Sequence, residues 1–203
     1  MKKALRYARP EIPAGHYLDT NDRTGNSVGW TLPTILGDML VKAEEMYGDR
    51  NCNCTYLGIE LGYNSDCIAR RSCSGYFTSR VDLNTIRNDI CTWRQLAHDC
   101  IHLLSPPGNG HTTCLEEGLA VHFELSYMLE EFRSGTWEGN LTINSDCPAL
   151  KMVQQLLDIE PSAIKLLRVH EPTISRISAE LIVNVCPLVS LDLALQLAAP
   201  FSQ

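Results

Sequence analysis

The sequence predicts an α+β domain in which a small antiparallel or mixed sheet packs on a helix pair and a helical layer forms the C-terminal part. Three observations carry this reading. An apolar stripe of helical period lies near the N-terminal side, two stretches rich in strand formers follow it, and nearly everything after residue 84 repeats at helical spacing. The chain has 203 residues, 44% hydrophobic and 20% charged, which suits one domain with a buried core and argues against a disordered chain.

The elements follow in chain order. Residues 1–30 are mixed and turn-rich, with Pro10, Pro13, Gly15, Gly25 and Gly29, and read as an irregular arm. A first helix fits residues 32–47. Thr31 is its expected N-cap, Pro33 sits in the first turn and Gly48 follows the end. Ile35, Leu36, Met39, Leu40, Ala43 and Met46 form its expected buried stripe. Residues 55–61 and 75–83 are the strand candidates, expected to pair as an antiparallel hairpin across the loop with Cys67 and Cys73.

From residue 84 to 133 the pattern gives two helices. Ile90, Trp93, Leu96, Ala97, Ile101 and Leu104 recur at helical spacing over residues 88–104, and Pro106-Pro107-Gly108-Asn109-Gly110 ends that run. The next helix opens near Thr112 or Thr113 and runs to about Arg133. Residues 134–203 hold short helices over 148–159, 162–169, 178–185 and 188–198, a layer of the same single domain.

Charge and composition exclude some classes of partner. Lys+Arg is 17 against Asp+Glu 24, a net charge of −7 with no basic cluster, which disfavours nucleic acid. No apolar run approaches the roughly 18 to 20 residues of a spanning helix, so no membrane is expected. Met1-Lys2-Lys3 is followed by Arg6, Arg9, Pro10 and Glu11 without an apolar core, so the expected location is the cytoplasm. Nine cysteines then read as free thiols. Cys52, Cys54, Cys67 and Cys73 are spaced C-x-C-x12-C-x5-C, without the paired C-x2-C of strong metal motifs, which leaves a second metal open but not indicated.

The chemistry concentrates in Leu96-Ala97-His98-Asp99-Cys100-Ile101-His102. Histidines at i and i+4 share one helix face, where two neutral ring nitrogens can hold one divalent cation. A third ligand is needed, and Leu115-Glu116-Glu117-Gly118-Leu119-Ala120 on the next helix offers it once the short turn folds that helix back. Glu124, seven residues past Glu117, lies on nearly the same face and could orient an imidazole from behind; Glu116 could do so too, or replace Glu117 as ligand. Cys100 points elsewhere on the helix and reads as core.

H-x-x-x-H followed by a helix bearing E-E-G-L-A resembles the gluzincin branch of the zincin metallopeptidases. The resemblance covers roughly residues 90–125. It implies a zincin-like fold, one Zn2+ held by His98, His102 and Glu117, and hydrolysis of a peptide or amide bond by a metal-activated water. Asp99 stands at the position of the family's catalytic Glu, giving HDxxH for HExxH. Its carboxylate is one C–C bond, roughly 1.5 Å, shorter in reach. Either the helix sits closer, or a second water relays the proton, or the site holds zinc without turnover. The family also uses a Tyr or His to stabilise the oxyanion. Tyr127, His122, His111 and His170 are the candidates, and none is aligned with Glu117 on its helix.

Three functions follow. The first is a zinc metallopeptidase with a peptide or protein substrate. The second is a zinc-retaining, catalytically weak or inactive zincin-like binding or regulatory protein. The third is a metal-dependent phosphohydrolase of the HD type, for which His16 would be the only upstream histidine and Asp146 or Asp158 the downstream carboxylate. Residues 55–61 would give a peptide substrate an edge to join by β-augmentation. Oligomeric state is not legible.

Overall fold

A computed structural model describes residues 32–51, 53–62, 70–73, 76–82, 89–106, 111–132 and 147–201. The expected irregular arm, the Thr31 cap, Cys52, Cys67, His16 and Asp146 lie outside the described residues. The fold is mixed α and β and mostly helical. Its order is α1 (Leu32–Tyr47), β1 (Thr55–Gly62), β2 (Arg70–Cys73), β3 (Tyr76–Asp82), α2 (Asp89–Leu104), α3 (Cys114–Phe132), α4 (Pro148–Ile159) and α5 (Ala163–His170). A 3-10 turn at Ile174–Arg176, α6 (Ala179–Val185) and α7 (Leu191–Ala198) complete it.

The sheet has strand order β1-β3-β2. β3 runs parallel to β1, with Thr55 opposite Tyr76 and Gly62 opposite Asp82. The expected antiparallel pairing of these two strands is therefore corrected. The antiparallel partner of β3 is β2, with Arg70 opposite Thr78. Only two residues separate Cys73 from Tyr76, so β2 and β3 form the hairpin, while the longer link across residues 63–75 lets β3 return in the direction of β1. The register slips between Tyr56 and Gly58, where Gly58 has φ +133°, a left-handed backbone that glycine tolerates.

Alternation along β3 places Phe77, Ser79 and Val81 on one buried face. Trp93, Leu96, Ala97, Cys100, Ile101 and Leu104 of α2 are all buried in the same core. α1 contributes Ile35, Leu36, Met39, Leu40 and Ala43, but Tyr47 takes the place expected for Met46, which is exposed. Tyr47 is i+4 from Ala43 and continues its row, whereas the helix turns Met46 outward.

The segment that follows α7 is tied to the start of α3. Cys114 N–H donates to the Ala199 carbonyl at 2.9 Å and Phe201 N–H to the Thr112 carbonyl at 2.9 Å. Among the described residues, no helix is long and apolar enough to cross a membrane.

Candidate metal centre

α2 and α3 lie side by side and run antiparallel. His98 faces Glu117 and Glu124, while His102, one turn further along α2, faces Glu116 and Glu117. The start of α3 fixes the carboxylates. Thr113 Oγ1 accepts from the Glu116 N–H at 3.3 Å, an N-cap bond that places Glu116 and Glu117 in the opening turns, where the helix dipole favours negative charge.

His98, His102 and Glu117 form one group, each offering a ligand atom within 4.8 Å of the others. His98 Nε2 is 3.4 Å from Glu117 Oε2, and His102 Nε2 is 3.7 Å from Glu117 Oε1. Two ligands of a tetrahedral cation with bonds of about 2.1 Å lie about 3.4 Å apart, so both spacings suit a shared ion. His102 Nε2 is buried without a hydrogen-bond partner and so is open to a ligand bond. These residues fit a divalent cation on the chemistry of the donor set and on that orphaned nitrogen.

The outward nitrogens are backed by carboxylates. His102 Nδ1 is 2.9 Å from Glu116 Oε1, and both side chains are fully buried. His98 Nδ1 is 3.8 Å from Glu124 Oε2, whose Oε1 accepts from Arg94 Nε at 2.5 Å. The Glu116 contact fixes the His102 tautomer that presents Nε2 and raises its basicity, while Glu124, at 3.8 Å, acts on His98 through its charge. The side chains also set the charges. Burial opposes protonation of His98, but Glu117 and Glu124 outweigh it and push the imidazole up to about 10. Burial likewise opposes ionisation of Glu117, yet His98 and His102 hold its carboxyl below the usual range.

Asp99 is fully buried between the histidines and the sheet. The Ser79 hydroxyl lies beside it and Tyr56 reaches toward Ser79. None of the carboxyl oxygens or these two hydroxyls closes a hydrogen bond of good geometry. Burial pushes the Asp99 carboxyl up to about 7, although the histidine charges pull it the other way.

The other candidates sit elsewhere. His122 Nδ1 accepts from the Tyr47 hydroxyl at 2.8 Å. Tyr127 is buried, donates to Asp38 Oδ2 at 3.4 Å and carries Lys42 over its ring. Both thus belong to the packing of α3 on α1. His111 and His170 are exposed. Asp158 lines a groove against α7, away from the histidine pair. Cys100 is a wholly buried free thiol, and Cys54 is half-buried.

Sequence reasoning missed Ser79, Tyr56 and Arg94. Arg94 precedes His98 by one turn and so was readable as a neighbour on its face, but the two hydroxyls come from strands whose pairing was misread. Comparisons of the chain with family models, with curated proteins and with solved structures find no match.

Proposed function

We propose that this chain is a metal-dependent hydrolase resembling the gluzincins, acting on a peptide or amide bond, with one Zn2+ held by His98, His102 and Glu117. The observation that carries the reading is the orphaned His102 Nε2, which converges with His98 Nε2 on the Glu117 carboxylate while both Nδ1 atoms face a second carboxylate. A divalent cation held there supplies a water of lowered pKa and polarisation of the scissile carbonyl.

The chain's own residues do the rest. Glu116 and Glu124 hold the imidazoles in place. Asp99, with its carboxyl near 7, suits proton acceptance from an attacking water at neutral pH. β1 is at one end of the strand order β1-β3-β2, and an extended peptide substrate would add to this strand. A second reading, a zinc-holding protein without turnover, draws on one observation: Asp99 is sealed from solvent as well as one methylene short.

Elemental analysis of the purified chain beside His98→Ala and Glu117→Ala tests the metal. One equivalent of zinc in the parent and at least a tenfold loss in both variants are expected; unchanged metal content in the variants removes the proposal. Chelator-sensitive cleavage of a mixed peptide library tests the hydrolase. Cleavage found only in Asp99→Glu assigns the parent to the second reading.

A further inference from the structure

Along α2 the exposure of the side chains that face α3 falls step by step. The side chain of Arg94 is 33% exposed, that of His98 23% and that of His102 0%. Glu116, opposite His102, is fully buried as well. Among the described residues, the group His98, His102 and Glu117 is therefore reached from the Arg94 end of α2. Arg94 precedes His98 by four residues and shares its face of the helix. Its guanidinium is only partly engaged. Nε donates to Glu124 Oε1 at 2.5 Å, and among the described residues neither Nη1 nor Nη2 has a hydrogen-bond partner.

Charge and shape decide what the free edge of Arg94 takes. Glu116, Glu117 and Glu124 face the two histidines, and Asp99 lies beside them. Among the described residues, Arg94 is the one lysine or arginine paired with any of these carboxylates. An anionic group elsewhere among these side chains meets like charge, whereas beside Arg94 it meets a cation. The two Nη groups form a planar fork that matches a carboxylate with two parallel hydrogen bonds. Four residues of helix rise about 6 Å, a span that an extended peptide covers in about two residues. We infer that Arg94 binds a carboxylate of the peptide substrate within about two residues of the cleaved bond, either the C-terminal carboxylate or an Asp or Glu side chain. This rests on the hydrolase reading of the metal centre and gives that centre its substrate class.

The test uses the full chain as purified and three pools of labelled pentapeptides. One pool has a free C-terminal carboxylate and no Asp or Glu, the second is its C-terminal amide, and the third is amidated with Asp or Glu next to last. Affinity is read by fluorescence anisotropy, and kcat/KM replaces it where the chain cleaves a pool. One carboxylate pool is expected to be preferred at least fivefold over the neutral amide, and which pool it is names the source of the carboxylate. Arg94→Gln should bring that preference within twofold. Arg94→Lys, which keeps a cation beside Glu124 but lacks the fork, should at least halve it. Arg50→Gln, the same charge change at an exposed arginine elsewhere, should leave it unchanged. Equal affinity of the parent for all three pools overturns the inference. So does a preference undiminished in either Arg94 variant, which would place the carboxylate on the metal, or one lost equally in Arg50→Gln. A preference that depends on Arg94 without cleavage of any pool supports the carboxylate site and counts against the hydrolase reading alone.

Discussion

Burial raises the Asp99 carboxyl from 3.8 to about 7, and the same burial makes its charged form costly to the fold. The native state then holds this proton more tightly than the unfolded chain. Its contribution to stability therefore falls as pH rises from about 4 through 7, and the full penalty stands above that. The shift corresponds to an upper bound on the order of 4 kcal/mol. Metal-free Asp99→Asn is expected to melt above the metal-free parent at pH 8, with the gap closing toward pH 4; calorimetry across that range checks it. His98, raised from 6.5 to about 10, adds a contribution of the same slope: full below about 6.5 and lost as pH rises through 10. At this scale the two candidate histidine ligands were legible, because residue type at i and i+4 on a helix is enough to name them. The surroundings of Asp99 were not, because Ser79 and Tyr56 come from strands distant in sequence.

Helix contacts decide whether Glu117 faces the histidines, and Gly118 sits at one of them. A Cβ at Gly118 would stand 2.3 Å from the Ala149 carbonyl oxygen and 2.7 Å from Val153 Cγ2. The first turn of α4 thus lies directly on α3, one residue past the candidate ligand. The glycine of E-E-G-L-A has a packing reason in this molecule, whatever the site does. Gly118→Ala must push the two backbones apart, and the overpacking outweighs alanine's better helix propensity. A net loss of about 2 kcal/mol is expected in urea denaturation. Helix extents were readable from apolar period and punctuation; the α4 bounds 148–159 agree with the pattern, and Ser178 and Ser190 cap α6 and α7 by accepting from Leu181 and Leu193 N–H. The sheet was less readable, because the four-residue β2 gave no periodic signal and its insertion changed the direction of pairing.

Across the whole molecule, Arg168 joins the C-terminal layer to the rest. Its guanidinium donates to the carbonyls of Tyr47 at 3.0 Å, Gly48 at 2.6 Å, Asp49 at 2.7 Å and Leu104 at 3.4 Å, while Nε donates to Pro172 at 3.2 Å. One planar fork thereby satisfies carbonyls at the ends of both α1 and α2, where the helix dipoles leave negative charge. Arg168→Ala removes this donor from the Tyr47, Gly48 and Asp49 carbonyls, while Leu104 keeps the Asn51 N–H at 2.7 Å, with an expected loss of about 3 kcal/mol or more. Lysine offers a compact ammonium in place of the fork, so Arg168→Lys should recover less than half of that. Thermal melts of the three proteins, all stripped of metal, separate this structural role from any effect at the centre.

The sequence by itself determined the helices, the mixed α and β class and the pairing of His98 with His102 on one helix face, because these depend on side-chain type and on spacing within a few turns. It names Glu117 with Glu116 open as its alternative, and the return of α3 beside α2 sets Glu117 against the pair. Tertiary structure alone decided the parallel run of β1 and β3, the sealed position of Asp99 and the reach of Arg168 across more than a hundred residues. Such contacts arise from which surfaces meet after the chain folds back, and local period carries no record of that.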